Sequence, residues 1–298
     1  MTLTVEIEKC CDDVRVSSTK NGACCASTAD ELLESTPEGV KSQVRDKYAS
    51  IAVSGGDCGC GGDCGCNEPG SFIGDAYEGK EGYESSADLN LGCGIPTDLA
   101  DLQEGQDVLD LGSGAGIDAF ITRRFVGEEG SVTGLDFTPE MIALARKNSV
   151  DLGFDNVIFV QGEIEAMPFH RNSFDRVISN CVINLVPDKK AAYGEVHRVL
   201  RTGGSFAISD IVIEGVLPES VRKSAEMYAG CVSGATSKDD YLQVVRDAGF
   251  ESVRVGKDRE IHLSDEDLLQ VASQSEIDLF RSSGASIRSI TVTGTRSQ

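Results

Sequence analysis

Four thiols lie within nine positions of a glycine-rich segment of this sequence, at Cys58, Cys60, Cys64 and Cys66. Thiolates are soft ligands, so four sulfurs this close together can converge on one soft ion. A zinc site is one interpretation, although most structural zinc sites space the cysteines of a pair by two residues. A low-complexity loop without a specific role is the other interpretation, and both stay open.

Three further cysteines stand apart from that cluster, each in a turn-rich or glycine-rich stretch: Cys93, Cys181 and Cys231. A single buried cysteine is most often a small apolar core residue. Cys181, however, follows an apolar segment predicted to be a strand, and open α/β sheets bind ligands beyond the carboxyl ends of their strands. We therefore expect Cys181 at a binding edge of the fold.

A glycine turn lies just downstream of Cys93. Val108 to Leu111 predicts a buried parallel strand, three glycines follow at alternate positions, and a helix is predicted to begin at Ile117. Such a turn lets the backbone approach a ligand at a helix N-terminus. The G-x-G-x-G spacing is one residue shorter than the dinucleotide fingerprint. Asp136 ends the next predicted strand, about 20 residues on, where an acid can meet ribose hydroxyls.

The elements around this turn alternate regularly, which predicts an α/β fold with a doubly wound, mostly parallel seven-stranded sheet. The predicted strands are 108–111, 131–135, 156–160, 174–179, 205–211, 253–256 and 290–292. The predicted helices are 117–126, one from Pro139 that packs Met141, Ile142, Ala145 and Val150 on the sheet, 187–200 ended by Gly203-Gly204, 218–229, 237–248 and 263–280.

Four regions are expected along the chain. Residues 1–35, with the vicinal pairs Cys10-Cys11 and Cys24-Cys25, form a flexible tail, and 36–100 hold a helix from Thr36-Pro37 and the cysteine- and glycine-rich loop. Residues 101–215 form the ligand-binding core, and 216–298 form a substrate-binding or capping region. His170, His197 and His262 are scattered, and each is expected to be a surface or structural residue.

Composition excludes several function classes. The formal net charge of −22 argues against nucleic acid as a partner, because phosphate neutralisation needs basic patches. No apolar run approaches the roughly 18 residues of a membrane span, and no secretory signal is visible, so we expect a cytoplasmic protein without membrane association. An odd number of cysteines, eleven, in such a chain indicates metal binding or redox chemistry over a disulfide framework.

The sequence resembles the arsenite methyltransferases, which belong to the class I, Rossmann-like S-adenosylmethionine (SAM) methyltransferases. The resemblance covers roughly residues 40–260 and is carried by three segments: Val108–Gly116, Ser179–Lys189 and Leu91–Pro96. Methyltransferases that act on quinones share the glycine turn and Leu200–Gly204, but not the set of cysteines. The resemblance implies methyl transfer from SAM to trivalent arsenic in arsenic detoxification.

The resemblance also implies the site residues. Thiolates at Cys93, Cys181 and Cys231 would hold As(III), with one counterpart of a fourth family cysteine among Cys58, Cys60, Cys64 and Cys66. The residues expected to contact SAM are Asp110, at the methionine ammonium, with Gly112, Ser113, Gly114, Asp136, Met141, Glu163, Ile164 and Asn180. Because methylation raises the oxidation state of arsenic, a thiol reductant such as thioredoxin or a glutathione-like thiol is expected as a partner.

Two alternatives remain open at this stage. One is a SAM-dependent methyltransferase of a small, quinone-like organic molecule, in which the cysteines are incidental. The other is a non-catalytic, thiol-rich protein that binds arsenic or another metal on a methyltransferase fold. Product analysis after incubation with SAM and As(III), free or as a thiol conjugate, separates arsenite methylation from the first alternative. Arsenite binding without affinity for SAM would support the second.

Overall fold

A computed structural model describes residues 36–54, 77–222, 232, 234–269 and 272–297. The described chain forms one seven-stranded sheet with helices on both faces, which confirms the predicted fold class. The strands are β1 (Asp107–Leu111), β2 (Ser131–Asp136), β3 (Val157–Gln161), β4 (Phe174–Asn180), β5 (Leu200–Glu214), β6 (Glu251–Ile261) and β7 (Ser286–Thr295). The helices are α1 (Pro37–Ser54), α2 (Ile117–Val126), α3 (Pro139–Leu152), α4 (Lys189–Val199), α5 (Lys238–Asp247), α6 (Asp265–Leu269) and α7 (Gln274–Ser283).

The strand order is β3-β2-β1-β4-β5-β7-β6. Strands β1 to β5 pair in parallel, whereas β7 runs antiparallel to both β5 and β6. The order reverses next to β1, so the carboxyl ends of β1, β2 and β4 border the crevice where such sheets bind ligands.

Alternate residues of the central strands supply two apolar cores, one on each face of the sheet. Leu109 of β1 and Val177 of β4 pack with helix α4 on one face. Val108 and Ile178, their chain neighbours, pack with helix α2 on the other. Parallel strands that are covered on both faces are mostly apolar, and in β1 Val108, Leu109 and Leu111 follow this rule, whereas Asp110 is the exception.

Helix α3 shows one error of the pattern analysis. Met141, Ile142 and Ala145 are buried as expected, but Val150 is exposed. Val150 follows Met141 by nine residues, which places it on the opposite side of a helix with 3.6 residues per turn. Thr138 is the N-cap residue, but its side chain makes no capping hydrogen bond.

Gly203 and Gly204 do not end a helix, contrary to the prediction. Helix α4 ends at Val199, and β5 begins at once with Leu200, so both glycines lie within the strand. The Gly203 N–H donates to the carbonyl of Arg296, and Gly204 accepts from the Arg296 N–H. These bonds to the chain end after β7 extend the strand at the position where the sequence predicts a helix terminus.

The C-terminal part differs from the prediction at one more place. The expected helix over 263–280 is two helices, α6 and α7, and α7 begins at a capping box formed by Ser273 and Glu276. A capping box fixes a helix start, so the apolar pattern across it does not belong to one helix. Most of the helix expected at 218–229 lies outside the described residues, as do the expected tail and the four-cysteine cluster. The domain boundaries stay a prediction.

Candidate active site

A cleft of about 1100 Å³, including its open mouth, lies at the carboxyl ends of β1, β2 and β4. Eight of the nine residues expected to contact SAM line it: Asp110, Gly112, Ser113, Gly114, Asp136, Glu163, Ile164 and Asn180. Met141, the ninth, is fully buried and is not among the lining residues. Cys181 also lines the cleft.

Asp110 has an oxygen suited to a cationic ligand. Its carboxylate is buried, and Oδ2 has no hydrogen-bond partner among the described residues. Burial, followed by repulsion from Asp118 and Asp136, raises the pKa of Asp110 well above its usual range. A ligand ammonium in the cleft would supply the missing partner and favour the carboxylate form.

Asp136 is placed by the glycine turn. Its Oδ2 accepts from the Gly114 N–H at 3.0 Å, and its Oδ1 accepts from the Thr138 N–H at 2.8 Å. Burial raises the pKa of Asp136, and the backbone donors oppose that shift. Each carboxylate oxygen has a second acceptor site, so Asp136 can still accept hydrogen bonds from a ligand's hydroxyl groups.

The position of Gly112 cannot accommodate a side chain. Its φ is +65°, and a Cβ atom would lie 2.6 Å from Cγ1 of Val182. The glycine turn therefore packs directly against the residue that follows Cys181. The orphan Asp110 oxygen, the glycine turn and the acid at the end of β2 together fit SAM.

Asn180, at the end of β4, has a role that the sequence did not predict. Its Oδ1 accepts from the backbone N–H groups of Cys93, at 3.0 Å, and Gly94, at 3.2 Å. Its Nδ2 donates to the Gly94 carbonyl at 2.7 Å and also to Tyr77 and Asp118. The side chain thus holds the loop that carries Cys93 against the cleft.

Tyr77 and Asp118 complete this network, and both were missed by the sequence analysis. The Tyr77 hydroxyl donates to Asp118 at 2.7 Å. Burial raises the pKa of Asp118 to about 6, against the lowering effect of the bonds from Tyr77 and Asn180. An acid two residues past the last glycine of the turn was a visible signal for Asp118, whereas nothing local marked Tyr77.

Cys181 has a left-handed backbone, with φ at +62°, which is uncommon for a residue other than glycine. Its N–H donates to the carbonyl of Ser209 in β5 at 2.8 Å. Backbone conformations of this kind cost free energy and cluster at functional sites. The turn directs the chain from β4 to the cleft wall.

Cys93 and Cys181 converge although 88 positions separate them. Their sulfur atoms and a carboxylate oxygen of Asp210 lie within 4.8 Å of one another, and all three residues are buried. Both cysteines belong to an apolar cluster that also contains Val232. Cys231 itself lies outside the described residues, as do Cys58, Cys60, Cys64 and Cys66, so the expected meeting of three thiols stays a prediction.

Asp210 was also missed by the sequence analysis. The available signal was one charged residue in the otherwise uncharged and mostly apolar segment 205–213 of β5. Helix α1 was missed as a cleft wall: Lys41, Val44 and Tyr48 line the cleft, and Lys41 forms ion pairs with Glu163 and Glu165. Within the described part of the chain, no helix has the length and apolar character that a membrane span needs.

This chain is similar to known methyltransferases. A family model described as a methyltransferase domain matches residues 102–249. An arsenite methyltransferase from Halobacterium salinarum is 41% identical over 236 residues, which cover 75% of this chain and 60% of that protein. One from Aquipseudomonas alcaligenes is 37% identical over 186 residues, which cover 60% of this chain and 53% of that protein.

A solved structure is similar over a comparable range. The arsenic(III) S-adenosylmethionine methyltransferase from Chlamydomonas reinhardtii has a TM-score of 0.58 and 38% sequence identity, covering 69% of this chain and 68% of that one. The chain spans about half to three fifths of the length of the two curated relatives above.

Proposed function

The chain belongs to the arsenite methyltransferases, a family of SAM-dependent methyltransferases, and on this premise we propose that it methylates trivalent arsenic held by the thiolates of Cys93, Cys181 and Cys231. The observation that carries the proposal is the convergence of two buried sulfurs, from Cys93 and Cys181, beside the SAM cleft. The resemblance supplies Cys231 as the third ligand, and the packing of its neighbour Val232 in the same apolar cluster supports that assignment.

The cleft residues bind and orient the methyl donor. We assign the ammonium to Asp110, the ribose hydroxyls to Asp136, and the close backbone approach to Gly112 and Gly114. When bound, SAM supplies an electrophilic methyl group on a sulfonium sulfur. Ser113, Glu163, Ile164 and Asn180 line the same cleft, whereas buried Met141 supports helix α3 from the core.

The thiolates prepare the arsenic. Trivalent arsenic is soft and prefers sulfur, and three thiolates leave its lone pair available for the methyl group. The nucleophile carries no proton, so the protein needs no general base for this step. Its contribution is alignment and the exclusion of water, for which the apolar cluster around Cys93 and Cys181 is suited.

A thiol reductant is part of the proposal. Methylation raises the formal oxidation state of arsenic by two, so each further cycle needs two electrons. A thioredoxin-like protein or a glutathione-like thiol supplies them by thiol–disulfide exchange. One of Cys58, Cys60, Cys64 and Cys66 takes part in this exchange or in the first capture of arsenic.

Mass spectrometry of the products from SAM, As(III) and a thiol reductant tests the proposal. Methylarsenicals are expected from the intact chain and are expected to be lost in Cys181→Ser and in Cys231→Ser. Cys66→Ser is the matched control, and it should retain most activity because neighbouring thiols can substitute. Undiminished methylation by Cys181→Ser would overturn the assigned role, and arsenite binding without SAM affinity would indicate a thiol-rich binding protein.

A further inference from the structure

A carboxylate completes a set of three buried donors around the two described thiols. Cys93 precedes β1, Cys181 follows β4, and Asp210 lies within β5, yet their donor atoms are mutually within 4.8 Å. Each of the three residues is at most 3% exposed. Arsenic bound by three thiolates requires no oxygen ligand. The proposed methyl transfer therefore does not use the Asp210 carboxylate.

Asp210 is held rigidly at this place. Its Oδ1 accepts from the Ile211 N–H at 3.1 Å, and its Oδ2 accepts from the Tyr241 hydroxyl at 3.2 Å. Tyr241 in turn accepts from the Tyr193 hydroxyl at 2.7 Å, and both tyrosines are buried. Because a carboxylate has about four acceptor sites, Asp210 keeps capacity for a further partner.

We propose that Cys93, Cys181 and Asp210 bind a thiophilic divalent cation, Zn²⁺ or Cd²⁺, in place of arsenic. Cysteine sulfur and aspartate oxygen are both donor types that zinc accepts. Soft As(III) prefers sulfur alone, so Asp210 is the ligand that only the cation uses. The cation binding is independent of the proposed methyl transfer, and only its competition with arsenite depends on that function.

Charge balance favours a divalent ion. Two thiolates and one carboxylate carry three negative charges, and the Lys189 ammonium, whose charge acts on Asp210, offsets one of them. Lys189 is anchored by the carbonyls of Asn184 and Val186. The remaining two negative charges match one Zn²⁺ or Cd²⁺. Binding sends the two thiol protons, and any proton held by the Asp210 carboxyl group, to solvent, with no redox change.

Cadmium titration of a full-length background variant tests the site. In this variant Cys10, Cys11, Cys24, Cys25, Cys58, Cys60, Cys64 and Cys66 are serine, so the N-terminal thiols do not compete. Thiolate-to-cadmium charge-transfer absorption follows binding, and the absence of tryptophan keeps the ultraviolet background low. Asp210→Asn in this background should weaken Cd²⁺ binding by roughly 10- to 100-fold, the scale of losing support at a metal site, and leave As(III) affinity unchanged.

Asp107→Asn is the matched charge control. Asp107 lies at the amino end of β1, whereas the cleft lies at the carboxyl ends of the strands, so this change should leave Cd²⁺ affinity unchanged. Unchanged Cd²⁺ affinity in Asp210→Asn would overturn the proposal, and so would equal losses for Cd²⁺ and As(III), which indicate a structural role. Failure of the wild-type chain to form methylarsenicals, with the Cd²⁺ result of the background variant intact, would overturn the proposed function alone.

A second measurement keeps Asp210 intact, so it remains valid if Asp210→Asn does not fold. It is X-ray absorption spectroscopy of the Zn²⁺-loaded background variant. An oxygen shell at about 2.0 Å beside the sulfur shell at about 2.3 Å is expected. A shell of sulfur alone would overturn the proposal.

Discussion

At the scale of single residues, Asn180 links the two halves of the site. The side chain lines the SAM cleft, and its amide binds the backbone on both sides of the Cys93–Gly94 peptide. Asp118 and Tyr77 fix the orientation of the amide, because its Nδ2 donates to both. The position of Cys93, a proposed arsenic ligand, therefore depends on groups that belong to the cleft.

Asn180→Ala should slow the first methylation. The change leaves the Cys93 and Gly94 N–H groups without their acceptor, and a lost buried hydrogen-bond partner costs about 1–3 kcal/mol. We expect a rate at saturating SAM roughly 5- to 150-fold lower, measured by product formation. Asn156→Ala is the control. Asn156 directly precedes β3, away from the cleft, and its side chain donates to the Gly127 carbonyl, so the variant should methylate at the wild-type rate. An unchanged rate in Asn180→Ala would contradict the positioning role.

Gly112 and Gly114 offer a matched pair for the packing of the glycine turn. Both have positive φ, but a Cβ atom meets Val182 at Gly112 and nothing within 4 Å at Gly114. Gly114→Ala should lower the free energy of unfolding by about 1–2 kcal/mol from backbone strain alone. Gly112→Ala should lower it by about 1–3 kcal/mol more from overpacking. Urea unfolding without ligand measures both, and equal losses would argue against the contact with Val182.

At the scale of elements, helix α1 covers the cleft from outside the sheet. Lys41 forms ion pairs with Glu163 at 2.7 Å and with Glu165 at 2.5 Å, and Arg45 lies over the Phe137 ring. These contacts connect the helix to the loops after β2 and β3. Glu163 is one of the residues assigned to SAM, so the position of α1 should influence how tightly the cofactor is held.

Lys41→Met should weaken SAM binding by a few-fold, because partly exposed ion pairs contribute about 0.2–1 kcal/mol each. The loss should shrink as ionic strength rises, since salt already screens the wild-type pairs. Calorimetric titration with SAM at low and high salt measures both effects. Lys47→Met, an exposed change on the same helix, is the control. The same loss at both salt concentrations would mean that the lysine acts by packing.

At the scale of the whole molecule, acidic groups occur in the protein interior as well as on its surface. The chain has a net charge of −22, and Asp110, Asp118 and Asp210 are buried beneath its surface. Burial raises the pKa of Asp210 to about 7, with Lys189 and the hydrogen bonds opposing the shift. In the unfolded chain an aspartate has a pKa of about 3.9.

This difference predicts a pH dependence of stability. Between pH ~4 and ~7 the folded Asp210 keeps a proton that the unfolded chain has released, so stability falls as pH rises through this window. Relative to Asp210→Asn, the wild-type free energy of unfolding should decline by up to about 1.4 kcal/mol per pH unit. Urea unfolding at pH 5, 6 and 7 measures the decline. Parallel curves for the two proteins would show that Asp210 is ionised when folded.

Much of this architecture could be predicted from local patterns. Helix α2 matches its predicted bounds, and β1, β2 and β4 match within one or two residues at their ends, because apolar runs and glycine turns act over short distances. Two predictions were wrong: the helix end at Gly203-Gly204 and the single helix over 263–280, which is divided into α6 and α7. There, pairing with the chain after β7 and a side-chain capping box outweigh the apolar pattern.

The sequence alone determined the fold class, the turn at Gly112 and the two acids at the ends of β1 and β2. These features depend on the backbone conformation and polarity of neighbouring residues, which the order of amino acids fixes directly. Only the tertiary structure decided that Asn180 holds the Cys93 loop and that Asp210 joins the sulfurs of Cys93 and Cys181. Such contacts join segments about 30 to 120 positions apart. The sequence indicates which residues lie at the binding edge of a parallel sheet, but their spacing does not show which of these distant side chains touch.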